Sequence, residues 1–167
     1  TDAPARSFVV EHHYSRTYPA SIAAYGLFEH VAPFKNELVG VAVFSVSMQP
    51  RAADAYGAQG APFCELGRFV LLDRVGGNGE TYFLSRALKR LGVDKRSADG
   101  SPKFAVCLAY SDPEPRSDLS GKITLNGHTG GIYSAANACY VGKSSPRTLW
   151  LAPDGTSLSH RALSKLR

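Results

Sequence analysis

The chain has 167 residues, 44% hydrophobic and 20% charged. This is the length and balance of one folded domain with enough apolar surface to bury a core. It excludes disorder, which needs low hydropathy and a large net charge, and Gly 16 and Pro 10 without a period exclude a collagen-like chain. Lys+Arg 19 against Asp+Glu 14 leaves a net charge of +5, which suits nucleic acid, a phosphorylated cofactor or plainly scattered surface charge.

Apolar runs are short and interrupted, so no membrane span is expected. The first residues show no charged-then-apolar leader. Cys64, Cys107 and Cys139 are far apart and lack CxxC spacing. They read as small buried thiols in a reducing compartment, the cytoplasm, rather than a disulfide framework or a zinc knuckle.

In chain order, Ser7 to Arg16 (SFVVEHHYSR) is the first organised segment, as helix or strand. Ile22 to Val31 and Glu37 to Ser47 are extended, joined by a turn at Pro33-Phe34-Lys35-Asn36. The second is β-branched and apolar on both faces, as a central strand is. Pro50 to Pro62 reads as a loop and Phe63 to Asp73 as a strand. A Gly-rich turn then leads into a helix from Glu80 to Leu91, with Phe83, Leu84, Ala87, Leu88 and Leu91 at helical spacing and Gly92 as its stop. Lys103 to Tyr110 is a buried strand, Pro113 to Asn126 a polar connector, and Gly130 to Val141 a helix stopped by Gly142. Thr148 to Ala152 is a short strand, and Leu158 to Arg167 a basic tail or short helix. The order predicts one α/β (α+β) domain with a mixed, mostly antiparallel central sheet flanked by helices.

Three places carry candidate chemistry. The turn Arg74-Val75-Gly76-Gly77-Asn78-Gly79-Glu80 joins a strand to a helix. Backbone N–H groups at such a helix start form an anion site, and glycines let a phosphate approach. Its Arg-x-x-Gly-x-Gly spacing is similar to the pyrophosphate loop of GCN5-related N-acyltransferases. It lacks the Gly-Lys-Ser/Thr of a P-loop and no βαβ unit of a Rossmann fold precedes it. Arg74, Gly76, Gly77, Asn78, Gly79 and Glu80 are therefore candidate cofactor-binding residues, against a plain structural turn.

His12-His13-Tyr14-Ser15 gathers titratable and hydroxyl groups, either a site or a surface segment. Asp112 ends the strand that begins at Lys103, where ligands collect in open α/β sheets, but Asp-Pro also starts turns. His128 and Tyr133 flank the start of the penultimate helix, where a Tyr can donate a proton or simply pack in the core.

Four blocks in order carry a family resemblance: His13-Tyr14-Ser15; Cys64-Glu65-Leu66-Gly67-Arg68-Phe69-Val70-Leu71; Tyr110-Ser111-Asp112; and the run Gly127-His128-Thr129-Gly130-Gly131-Ile132-Tyr133-Ser134-Ala135-Ala136-Asn137. Together they resemble the Mom family of phage DNA-modification proteins, of the GCN5-related acyltransferase (GNAT) fold, over residues 8 to about 160. The resemblance implies a GNAT-like domain that modifies the N6 amine of adenine in double-stranded DNA by carbamoylmethylation or a related acyl transfer, shielding phage DNA from restriction. It implies His13, Tyr14, Asp112 and Tyr133 as catalytic residues, with Ser15, Arg68, Ser111 and His128 around the substrate. It also implies an acyl-CoA-type donor such as acetyl-CoA, and iron, for which His13 and Asp112 are the nameable pair. The spacer Pro113 to Asn126 is longer than the family pattern and would shape a different substrate edge.

In this reading the donor phosphates lie on the turn and the target base is flipped out of the stack. Arg16, Arg86, Lys89 and Arg90, with Arg147, Arg161, Lys165 and Arg167 further on, hold DNA phosphates. Two other classes compete: an acetyl-CoA-dependent N-acetyltransferase for a small amine, modified nucleobase or protein, and a non-catalytic nucleic-acid-binding module.

Overall fold

A computed structural model describes residues 2–146, 148, 150–155, 157–158 and 163–164. Its chain divides into two compact units, the first of residues 1–110 and 132–140, the second of residues 111–131 and 141–167.

The first unit is a four-stranded sheet in the order β1-β2-β3-β4. Its strands are β1 Ser21–Ala32, β2 Lys35–Ser45, β3 Phe63–Leu71 and β4 Val106–Leu108. The first three are antiparallel neighbours, whereas β4 runs parallel to β3. Helix α1, Asp2–His12, precedes the sheet, and α2, Gly79–Asp94, joins β3 to β4.

β2 is central because both of its faces are apolar. Val41 and Val43 pack with Ala5, Phe8 and Val9 of α1. Ala42 and Phe44 pack with Phe83, Leu84, Ala87 and Leu91 of α2. Each large side chain so buried contributes roughly 1.5–3 kcal/mol by leaving water. Gly40 admits this packing, since a Cβ there would stand 2.7 Å from Leu71 and 3.1 Å from Phe83.

Register carries one consequence for function. Val43 pairs with Arg68 and Phe44 with Leu66, so Gly67 is an extra residue in β3. A bulge of this kind switches which face the following side chains use. Cys64 and Leu66 before it, and Phe69 after it, all meet the α2 core, while Val70 meets the α1 core.

Several elements differ in extent from the sequence expectation. α2 continues through Gly92 to Asp94, and Lys95 caps it by donating to the Leu91 carbonyl at 2.9 Å. Gly92 lies within the helix, with Pro102 at an ordinary contact distance of 3.8 Å from a would-be Cβ. β4 is shorter than Lys103 to Tyr110, because the N–H groups of Lys103 and Ala105 bond to Lys95 and Pro62 rather than to β3. The segment from Pro50 to Pro62 contains a 3-10 helix, Ala52–Tyr56.

The second unit holds two small antiparallel pairs: β5 Arg116–Ser117 with β6 Ile123–Leu125, and β7 Trp150–Leu151 with β8 Ser157–Leu158. The polar connector thus contains a hairpin, whose turn Asp118 fixes by accepting from Ser120 and Lys122. Leu119 donates to the Pro153 carbonyl at 3.1 Å, tying the two pairs together. The expected helix from Gly130 is only α3, Gly131–Ala135. Asn137 takes a left-handed φ of 61° and ends it. Beyond it Tyr140 is 81% exposed, so no core rewards further helix. Most of the tail expected from Leu158 onward lies outside the described residues.

Candidate active site

The end of α1 supplies the first group. The His13 N–H donates to Val9 at 2.9 Å, closing the last helical turn, and the His13 carbonyl accepts from Arg16, whose φ of 48° turns the chain. The Ser15 backbone N–H lies 3.1 Å and its hydroxyl 2.8 Å from His13 Nδ1. A backbone N–H only donates, so Nδ1 accepts, and the neutral ring carries its proton on Nε2. The Tyr14 ring stacks on His13 with centroids 4.2 Å apart and a tilt of 30°.

This group is tied to β3. Thr17 Oγ1 donates to Ser15 Oγ at 3.3 Å. Arg68 Nε donates to the Thr17 carbonyl at 2.8 Å, and its Nη2 to Thr17 Oγ1. A chain of polar contacts therefore runs from His13 through Ser15 and Thr17 to Arg68. Burial lowers the Arg68 guanidinium from its ordinary value, and nearby Tyr14 opposes that shift. Arg68 is the residue directly after the Gly67 bulge.

The second group lies where β4 ends. Tyr133 donates its hydroxyl to the Tyr110 carbonyl at 3.5 Å. Burial raises the Tyr133 phenol above its ordinary value, and the nearness of Tyr14 and Cys107 raises it further. Burial also raises Tyr110, followed by Glu65 and Tyr56. The first unit thus brings His13, Tyr14, Ser15, Arg68 and Tyr133 onto one scaffold, with Tyr14 and Tyr133 within electrostatic reach of each other. Cys107, Tyr110 and Thr17 join them. Sequence reading assigns Cys107 and Thr17 no role, because their signal is strand register and loop closure, and Tyr110 enters only as part of the block Tyr110-Ser111-Asp112.

Ser111, Asp112 and His128 belong to the second unit. The Asp112 carboxylate is ion-paired with Arg116, and its carbonyl accepts from the His128 N–H at 2.8 Å. Gly127 is required there: its φ is 74°, and a Cβ would stand 2.4 Å from the Pro113 carbonyl oxygen.

In the Gly-rich turn one side chain is engaged within the fold. Arg74 bonds to Glu29 and, at 2.9 Å, to Glu37, clamping the end of the β1–β2 hairpin. Around Gly76 and Gly77 nothing lies within 4 Å of a would-be Cβ, so their backbone is open. Asn78 is left-handed with φ 66°, Gly79 begins α2, and Glu80 sits in its first turn, where the helix dipole favours an acid.

Of the basic residues assigned to DNA, Arg90 is paired with Asp94 at 3.0 Å and Arg86 lies over the Tyr82 ring. Arg147, Arg161, Lys165 and Arg167 lie outside the described residues. Among the described residues no three His, Cys, Asp or Glu side chains form a donor set for a metal ion. His13 and Asp112, the pair named for iron, lie in different units. No described helix is long and apolar enough to cross a membrane.

No curated protein matches the chain. The family model described as the Mom protein family matches residues 1–166, and the chain belongs to the Mom family.

Proposed function

We propose that this chain transfers a carbamoylmethyl or related acyl-derived group from a CoA-type donor to the N6 amine of adenine in phage DNA. Mom-family membership over residues 1–166 supports an enzyme of phage DNA modification. The observation that carries the chemistry is Tyr133: a half-buried phenol, raised above its ordinary value, beside Tyr14 and at the end of β4. A phenol keeps its proton at neutral pH and, positioned against a leaving group, can give it up as charge develops there.

For an acyl thioester donor, the adenine amine attacks the carbonyl carbon, the C–N bond forms and the C–S bond breaks. Tyr133 protonates the departing sulfur, and its phenolate takes the proton that the amine nitrogen loses, so an N6-acyl adenine and a free thiol result. His13 serves as the platform for Tyr14, because its Nδ1 is occupied by Ser15. Tyr14, 43% exposed, presents an aromatic face to a base drawn out of the stack. Arg68 and Thr17 hold that segment against β3.

A GCN5-related arrangement is supported by three features. β3 pairs with β4 over Phe63–Glu65, and among the described residues Leu66–Leu71 have no partner on that edge. The Gly67 bulge lies within the unpaired stretch. The open backbone of Gly76 and Gly77 stands at the head of α2, a helix of 16 residues. Donor phosphates would meet this backbone and the helix dipole, with Arg74 engaged elsewhere.

Nucleoside mass spectrometry of DNA from cells expressing the protein tests the reading. A modified deoxyadenosine is expected with the wild type and is lost in Tyr133→Phe. The same assay on Asp112→Asn tests the remaining residue of the family resemblance. Unmodified adenine with soluble wild-type protein overturns the proposal. Acetyl-CoA binding without any DNA product would favour a small-amine acetyltransferase instead.

A further inference from the structure

Cys64 and Cys107 occupy directly paired positions on β3 and β4. Paired Cα atoms on neighbouring strands stand about 4.8 Å apart, inside the roughly 4.4–6.8 Å that a disulfide spans. Registered residues of a parallel pair share a face, and both side chains meet the α2 core, where Cys64 is fully buried and Cys107 partly so. Each thiol lies 4.0 Å from a β4 carbonyl, Cys64 from that of Val106 and Cys107 from that of Leu108, and the two sulfurs are close enough to shift each other's titration. Nothing in the proposed transfer chemistry uses this pair.

A cleft of about 630 Å³ lies between the last turns of α2 and β4 and has both cysteines in its lining, Cys107 partly exposed and Cys64 buried. Leu91 and Phe104 line it, and its charged lining residues are Lys89 and Arg96. Arg96 is fixed there by donating to the Val93 and Gly100 carbonyls. A cationic rim over two thiols favours an anionic oxidant small enough to enter.

We propose that Cys64 and Cys107 form a reversible dithiol–disulfide pair, oxidised through this cleft by a small anionic disulfide of the glutathione class. One protein thiolate attacks the glutathione disulfide, and a glutathione thiolate leaves, giving a mixed disulfide. The second protein thiolate attacks the protein sulfur of that bond and expels the second glutathione. Two protein thiols are oxidised, one disulfide is reduced to two glutathione thiols, and the two protons pass to the leaving thiolates. The nearness of the two thiols lowers Cys64 and raises Cys107, so the first proton leaves the pair more readily than the second.

The bond would fasten β3 to β4 just before β4 ends. Cys107 also packs beside Tyr133 against the α2 core, so oxidation alters the surroundings of that phenol.

The test uses the full chain with exposed Cys139 replaced, Cys139→Ser, to remove competing adducts. The protein is incubated with glutathione disulfide, denatured, alkylated and digested. Expected is a Cys64–Cys107 cross-linked peptide, with alkylation of both residues lost and restored by dithiothreitol. Full alkylation of both thiols after incubation overturns the proposal, as does a glutathione adduct that persists on either cysteine without a cross-link. Wild-type protein treated in parallel must give the same cross-link.

Discussion

Gly67 and Ser45 meet so closely across β3 and β2 that a Cβ on Gly67 would stand 2.4 Å from the Ser45 hydroxyl. Ser45 is 2% exposed and cannot swing into water, and Pro19 closes the other side at 3.0 Å. Gly67→Ala therefore parts the strands at the bulge. Overpacking of this kind costs about 1–3 kcal/mol. Urea unfolding should show the loss, and Ser45→Gly in the same chain should recover part of it. An unfolding midpoint for Gly67→Ala equal to wild type would mean that the bulge has room the geometry denies it.

Arg74 gives a pH-dependent prediction. Lys35, 3.2 Å from Glu37, and then Arg74 hold the Glu37 carboxyl below the usual carboxylate range. A lowered folded-state pKa stabilises above the unfolded pKa of about 4.3, and that stability is lost as pH falls through the folded value. Acidification should therefore loosen the end of the β1–β2 hairpin first, seen as faster amide exchange at His30 to Asn36. Arg74→Gln should weaken this pH dependence and leave donor binding nearly intact. Loss of donor binding with unchanged exchange would return Arg74 to the phosphate role.

Tyr25 governs the alkaline side. Burial first, and then the neighbouring Asp94 carboxylate, push its phenol up to about 12. The Tyr25 hydroxyl donates to Asp94 at 3.2 Å, joining β1 to the end of α2. The unfolded phenol titrates near about 10, so this stabilisation is complete below that pH and lost as pH rises from there towards the folded value. Thermal unfolding of the wild type should fall more steeply over this range than that of Tyr25→Phe. Burial raises Tyr18, Tyr110 and Tyr133 in the same direction, so the slope shrinks rather than vanishes. Parallel curves for the two proteins would remove Tyr25 from the account.

Much of the first unit was legible from residue pattern. The two apolar faces of Glu37 to Ser45 require cover on both sides, and α1 and α2 supply it. Of the helically spaced Phe83, Leu84, Ala87, Leu88 and Leu91, α2 buries all but Leu88, which lies at the edge of the face and is exposed. Arg74 shows what spacing leaves out: Arg-x-x-Gly-x-Gly suits a phosphate, and Glu29 and Glu37 reach the same cation from a hairpin some 40 residues away in sequence. Cys64 and Cys107 are adjacent only through strand register, which no local pattern encodes. His13, Tyr14, Ser15 and Tyr133 were nameable because their residue types suit proton transfer. The chain of contacts through Thr17 to Arg68 depends on a loop closing onto a bulge, so it needed coordinates.

Tyr133→Phe separates the chemical role of the phenol from its packing. The ring keeps its place against the α2 core, and the hydroxyl contact it loses, 3.5 Å to the Tyr110 carbonyl, is long. A bond of that length contributes at most about 1 kcal/mol, so unfolding should hardly change. A positioned proton donor contributes about 100- to 10,000-fold to rate, so DNA modification should fall by that factor with donor binding intact. Because burial raises the phenol, the wild-type rate should stay level through neutral pH and decline only above the ordinary tyrosine value of about 10. The measurement is initial rate against pH on a defined duplex for both proteins. A loss under tenfold in Tyr133→Phe, with an unchanged pH profile, would leave Tyr133 as a packing residue and transfer the acid role to another group.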